Sequence, residues 1–131
     1  MVRAYSHPVI RHSLFPVESD YERDAAGVLE WVADKARGEG RHLEIEKPLY
    51  DIVVNEQGEL CRPDFILRES GRTLVIETMG SDNPAYREQK ARTHQLMKRL
   101  GELIEDERAG VEPRKARSIL AAKVFEWLRS Q

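Results

Sequence analysis

The sequence of 131 residues predicts a single α/β (α+β) domain: a helix, a three-stranded β-meander, then two more helices. Three observations predict it. Apolar residues recur at helical spacing between Tyr21 and Ala36. The period then shortens, and β-branched and aromatic residues gather in runs separated by turn residues. Helical spacing returns after Ser81-Asp82-Asn83-Pro84, a capping sequence placed before a proline.

Each element has its own local reason. Residues 1–18 contain Pro8 and Pro16 and no clear period, and read as an arm or a short strand. Ser19-Asp20-Tyr21-Glu22 matches a capping box, with Ser19 at the N-cap and Glu22 three residues on. Positions 21, 25, 28, 29, 32 and 36 then make an apolar stripe, which Gly38 and Gly40 end. His42–Val54, broken or kinked at Pro48, reads as the first strand, Glu59–Arg68 as the second and Arg72–Met79 as the third. Asn55-Glu56-Gln57-Gly58 and Ser70-Gly71 supply turns short enough for antiparallel neighbours. The second helix is expected to run from Pro84 to about Glu107, on a stripe of Tyr86, Thr93, Leu96, Met97, Leu100, Leu103 and Ile104. Ala109-Gly110 ends it, and a third helix follows over 113–130 with Ala116, Ile119, Leu120, Val124, Trp127 and Leu128 on one face. The expected organisation is one domain over 1–131, made of an arm (1–18), a core (19–107) and a C-terminal helix (113–130).

Composition narrows the function classes. Apolar residues make up 40% and charged residues 34%, a globular balance. The longest apolar runs are about four residues, against roughly 20 for a membrane span, so no membrane partner is expected. Met1–Ser13 shows no apolar secretory region, and the single cysteine, Cys61, fits a reducing compartment; the expected location is cytoplasmic. The net charge of −2 is not the bulk signature of a nucleic-acid binder, although the basic residues are 15 Arg to 6 Lys.

Chemistry concentrates in Arg62-Pro63-Asp64-Phe65-Ile66-Leu67 and Leu74-Val75-Ile76-Glu77-Thr78-Met79-Gly80. In a meander, the start of one strand lies beside the end of the next, so Asp64 and Glu77 can converge. Paired carboxylates suit Mg²⁺, which takes one or two protein carboxylates and keeps several waters. Solvated acids at strand ends are the alternative.

Pro63-Asp64, twelve residues, then Glu77-Thr78-Met79 resembles the motif of the PD-(D/E)XK nuclease superfamily, over roughly residues 19–107. The resemblance implies a restriction-endonuclease-like core with a small mixed sheet flanked by helices, usually with a further strand. Ile119–Trp127 can also pass as extended. It implies Mg²⁺-dependent (or Mn²⁺-dependent) cleavage of DNA phosphodiester bonds, with Asp64 and Glu77 as metal ligands. Where the family carries a lysine two residues after the Glu, this chain has Met79. Some superfamily members are similar in placing that lysine on the following helix, and Lys90 is the match. A first-helix Glu contacts the metal or its waters in some branches; Glu22 is the counterpart, besides its capping role. DNA is the expected partner, with a homodimer or an adjacent DNA-processing domain as further expectations. The alternative is a catalytically inactive nuclease-like module that binds DNA or a protein.

Other motifs are weaker. Cys61 and His7, His12, His42 and His94 lack zinc-ligand spacing. Gly38-Glu39-Gly40 lacks the lysine and context of a phosphate loop. Tyr86 reads as a core-edge aromatic, with orienting a phosphate or nucleophile as the alternative; Gln89 and His94 flank the same helix; and Arg114, Lys115 and Arg117 form a small basic cluster, a solvated helix face or else a contact to DNA backbone. The blandest reading has Trp127 and Leu128 docking a partner.

Overall fold

The computed structural model describes residues 6–8 and 20–130. Its elements in chain order are β1 (Ser6–Pro8), α1 (Asp20–Gly38), β2 (Glu44–Pro48), β3 (Ile52–Val53), β4 (Leu60–Cys61), β5 (Phe65–Glu69), β6 (Arg72–Met79), α2 (Pro84–Met97), β7 (Glu102–Glu107) and α3 (Pro113–Arg129). Five strands form one mixed sheet in the order β1-β2-β5-β6-β7, and β3 and β4 pair separately. The strands from β1 to β6 in that order run antiparallel; β6 and β7 run parallel, with Leu74 opposite Glu102 and Glu77 opposite Glu105.

Alternation along the strands builds a three-layer molecule. Phe65, Leu67, Leu74 and Ile76 turn to one face, where Ala25, Leu29 and Val32 of α1 and Leu120, Val124 and Leu128 of α3 cover them. Val75 turns to the other face, against Met97 and Leu96 of α2 and Cys61 and Val54 of the β3–β4 hairpin. Trp127 and Leu128 are buried in the first core, so they do not form an exposed docking edge. Arg72 secures the end of α3: its guanidinium donates to the Trp127 and Ser130 carbonyls and lies over the Trp127 ring.

The expected elements need three corrections. The second helix stops at Met97, and residues 102–107 form β7, the further strand that the resemblance implies. Leu103 packs toward the α2 side and Ile104 toward the α1–α3 side. A strand covered on both faces presents adjacent apolar residues, which also continue a helical stripe. Gly101 makes the entry to β7, where a Cβ would lie 2.5 Å from the Thr73 carbonyl oxygen. The first two meander runs are each divided, and the inner pieces leave the main sheet as the β3–β4 hairpin. Pro48 and Pro63, which lack an amide donor, sit at the breaks. The third helix is as expected, running over Pro113–Arg129. Tyr21 also departs from the α1 stripe and is 43% exposed, with Glu22 buried in its place. Ser19 lies outside the described residues, as do the side chains of His7 and His12.

Candidate active site

Asp64 stands at the start of β5 and Glu77 near the end of β6, and the antiparallel register brings them together. The Asp64 amide donates to Glu77 Oε2 at 2.8 Å, and Asp64 Oδ2 accepts from the Thr78 amide at 2.7 Å. Each carboxylate is thus oriented by the other strand's backbone. Glu77 is buried, and Asp64 is partly buried beside it.

Cations approach from both faces. From α2, Lys90 Nζ donates to Glu77 Oε1 at 3.0 Å. From β2, the buried Lys47 donates to Glu22 Oε1 at 2.6 Å and lies 3.9 Å from Asp64 Oδ1. Glu22, on the first turn of α1, therefore reaches the site through Lys47. One turn beyond Lys90, the His94 ring is buried between two acids. Nδ1 is 2.6 Å from Glu105 Oε2, and Nε2 faces Glu77 Oε1 at 3.5 Å. Tyr86 anchors the start of α2, its hydroxyl accepting from the Gly80 amide at 3.2 Å and donating to the Thr78 carbonyl at 3.4 Å. Tyr86, Lys90 and His94 are successive fourth residues, so one helical face serves the site.

Protonation follows from this crowding. Burial, then the charges of Glu77 and Glu22, push the Asp64 carboxyl up to about 7. Glu77 is also opposed by burial, but His94, Lys90 and the Asp64 amide outweigh it and hold its pKa below the ordinary value. Burial opposes charge on Lys90 and His94, yet their acidic neighbours carry both pKa values upward. Cys61 is pushed up to about 11, chiefly by burial, so at neutral pH it is a thiol and not an activated nucleophile.

The arrangement suits a hard cation. The donors are carboxylate oxygens, and what opposes ionising Asp64, burial first and then the charges of Glu77 and Glu22, is offset when a divalent ion sits beside it. Among the described residues, no three His, Cys, Asp or Glu side chains are grouped to hold a metal by themselves. Two carboxylates completed by water match the habit of Mg²⁺. Met79 is buried at 2% exposure, so its slot supplies neither charge nor access.

The family model for the restriction endonuclease-like C-terminal domain matches residues 18–130. The chain belongs to this family. The matched span of this restriction endonuclease-like domain runs through β7 and on to α3, beyond the 19–107 core expected from the motif. The chain is also similar to an uncharacterized protein in the cib 5′ region of Escherichia coli, with 38% identity over 100 residues. Those residues are 70% of this chain and 46% of that protein, so the chain spans about half the length of the curated relative it matches. No solved structure matches it.

Several residues of the restriction endonuclease-like domain bear on the site without having been legible as members of it. Lys47 sits in a strand whose neighbours give no motif, and only register brings it to Asp64. By sequence alone Glu105 falls in the tail of the expected second helix, away from the sheet. His94 had one available signal, its place four residues after Lys90. Gln89 is exposed. In the basic cluster, Arg117 is paired with Asp24 at 3.0 Å, on the α1–α3 side. No helix among the described residues is long and apolar enough to cross a membrane.

Proposed function

We propose that this domain is a metal-dependent nuclease that cleaves DNA phosphodiester bonds, with Asp64 and Glu77 as the metal ligands and Lys90 as the catalytic cation. The observation that carries the reading is the fixed pair of carboxylates with a lysine ammonium 3.0 Å from one of them. Mg²⁺ held there, or Mn²⁺ in its place, would activate water and stabilise charge on a phosphoryl oxygen.

The chain's own residues supply the rest. Asp64 and Glu77 are pre-oriented by backbone amides, so little reorganisation is needed when a cation and substrate enter. Lys90 reaches the site from α2, replaces the charge missing at Met79, and can donate to a phosphate oxygen. Tyr86 fixes α2 against the end of β6, which sets the reach of Lys90. Lys47 offsets Glu22 and Asp64 from the other face, and Glu22 serves the metal's waters, not the metal directly.

The test is cleavage of circular single- and double-stranded DNA, with Mg²⁺ and Mn²⁺ tried separately and Asp64→Asn alongside. Nicking or linearisation by the parent only supports the reading. Equal cutting by Asp64→Asn and Glu77→Gln overturns it. A second reading, a binding module that holds DNA without cutting it, is favoured by the buried thioether of Met79 in the lysine slot. Its mark is salt-dependent DNA affinity without cleavage under either ion.

A further inference from the structure

Register makes Glu77 and Glu105 direct neighbours on the parallel strands β6 and β7. Like charges side by side in a sheet are unfavourable. The ring of His94 stands between them, with Nδ1 2.6 Å from Glu105 Oε2 and Nε2 toward Glu77 Oε1 at 3.5 Å. The His94 side chain is 4% exposed, whereas that of Glu105 is 47% exposed. Glu105 therefore has water available and does not need a buried partner. Nε2 is buried and has no hydrogen-bond partner among the described residues. Val75 and Met97 are apolar on the same side of the sheet, and an apolar side chain at position 94 would remove the orphaned nitrogen altogether. Packing alone does not account for an imidazole here.

We infer that His94 is a positioning residue for Glu77, itself oriented by Glu105, so that a Glu105–His94–Glu77 chain spanning β7, α2 and β6 sets the metal-binding carboxylate. Carboxylates only accept, so a ring set between Glu105 and Glu77 turns a hydrogen toward each, and the close contact to Glu105 fixes the plane of the ring. That plane fixes which way Nε2 points. Lys90 on the same Oε1 and the Asp64 amide on Oε2 hold the Glu77 carboxylate by two hydrogen bonds, and the His94 ring stands against it on the third side. Partners of this kind behind a metal ligand contribute about 10- to 100-fold in metal affinity. The inference rests on the reading of Asp64 and Glu77 as metal ligands.

The experiment measures Mn²⁺ binding to the metal-free full chain by electron paramagnetic resonance of the free ion, without DNA. The variants are Glu105→Gln, His94→Phe, Glu77→Gln and, as a control on β7, Glu102→Gln. Nitrogen-15 spectra of the histidine rings are recorded in parallel as Mg²⁺ is added. Weakening of Mn²⁺ binding by about 10-fold or more in Glu105→Gln and His94→Phe, with Glu102→Gln unchanged, supports the chain. So does a Mg²⁺-dependent shift of His94 Nε2 in the parent that is lost in Glu105→Gln. Glu105 is half-exposed, so its variant tests the idea even where His94→Phe fails to fold. Parent-like binding by Glu105→Gln, while Glu77→Gln binds poorly, overturns the chain and leaves the metal site standing. A parent that binds no Mn²⁺ overturns both.

Discussion

Asp64 and Glu77 are joined through the Asp64 backbone and not by a shared proton: its amide donates to Glu77 Oε2 at 2.8 Å, while its carboxylate looks to Thr78. Two acids can therefore stay close without either losing its direction. Asn at 64 still accepts from the Thr78 amide, and Gln at 77 still accepts from the Asp64 amide. Both variants are expected to keep the fold and to lose Mg²⁺-dependent cleavage, as circular dichroism beside a plasmid-nicking assay will show.

The raised Asp64 pKa has a stability consequence in the metal-free protein. With its carboxyl at about 7, the folded chain holds a proton that the unfolded chain has already released above the ordinary carboxylate range. Stability therefore falls as pH rises from that range toward 7. Asp64→Asn removes this loss. In chelator, its melting midpoint is expected to exceed the parent's by several degrees at pH 8 and to converge with it near pH 4. Added Mg²⁺ is expected to raise the parent's midpoint but not the variant's.

Lys90 is the cation that the strand does not provide. Lys90→Ala is expected to lower cleavage by about 100- to 1,000-fold, the usual scale for losing one preorganised electrostatic contact. Lys90→Arg retains charge and is expected to recover part of it. Equal rates for parent and Lys90→Ala in single-turnover cleavage would remove Lys90 from the chemistry.

Away from the site, Glu69 accepts from Arg72 and Ser70, which hold its carboxyl below the usual value. Its contribution is present above the ordinary glutamate pKa and is lost as pH falls through the lowered one. Glu69→Gln is expected to flatten the acid limb of a melting-midpoint profile and to leave cleavage at neutral pH unchanged.

Two glycines separate a required approach from an incidental one. A Cβ at Gly101 would meet the Thr73 carbonyl oxygen at 2.5 Å, whereas one at Gly38 meets nothing within 4 Å. Gly101→Ala is expected to destabilise the domain by displacing β7. Gly38→Ala is expected to be neutral or stabilising by up to about 1 kcal/mol. Urea unfolding of the pair checks both.

Sequence revealed the parts whose cause is local. The α1 stripe, the Asn83 cap and the turns are written within short runs of residues, and the paired acids lie on two neighbouring strands joined by one tight turn. Asn83 Oδ1 does accept from the Ala85 and Tyr86 amides. Parallel pairing of β7 with β6 has no local marker, and Leu103-Ile104 satisfied two periods at once. Lys47 and Glu105 enter the site through register, which depends on how distant strands align. The approach of Lys90 to Glu77 follows from its place on the inner stripe of α2, a helix that starts just after the end of β6.

β6 begins at Arg72, which holds the last turn of α3, and ends in Glu77-Thr78-Met79 at the candidate active site. Along it Ile76 faces one core, while Val75 faces the other and Glu77 meets Asp64. A slip of one residue would exchange those faces, putting Glu77 among hydrocarbon and Ile76 among carboxylates. No intermediate register satisfies one face and spares the other. A variant that still melts in one sharp transition has therefore kept the β6 register, and a loss of turnover in it reports on the side chains of the site and not on the strand.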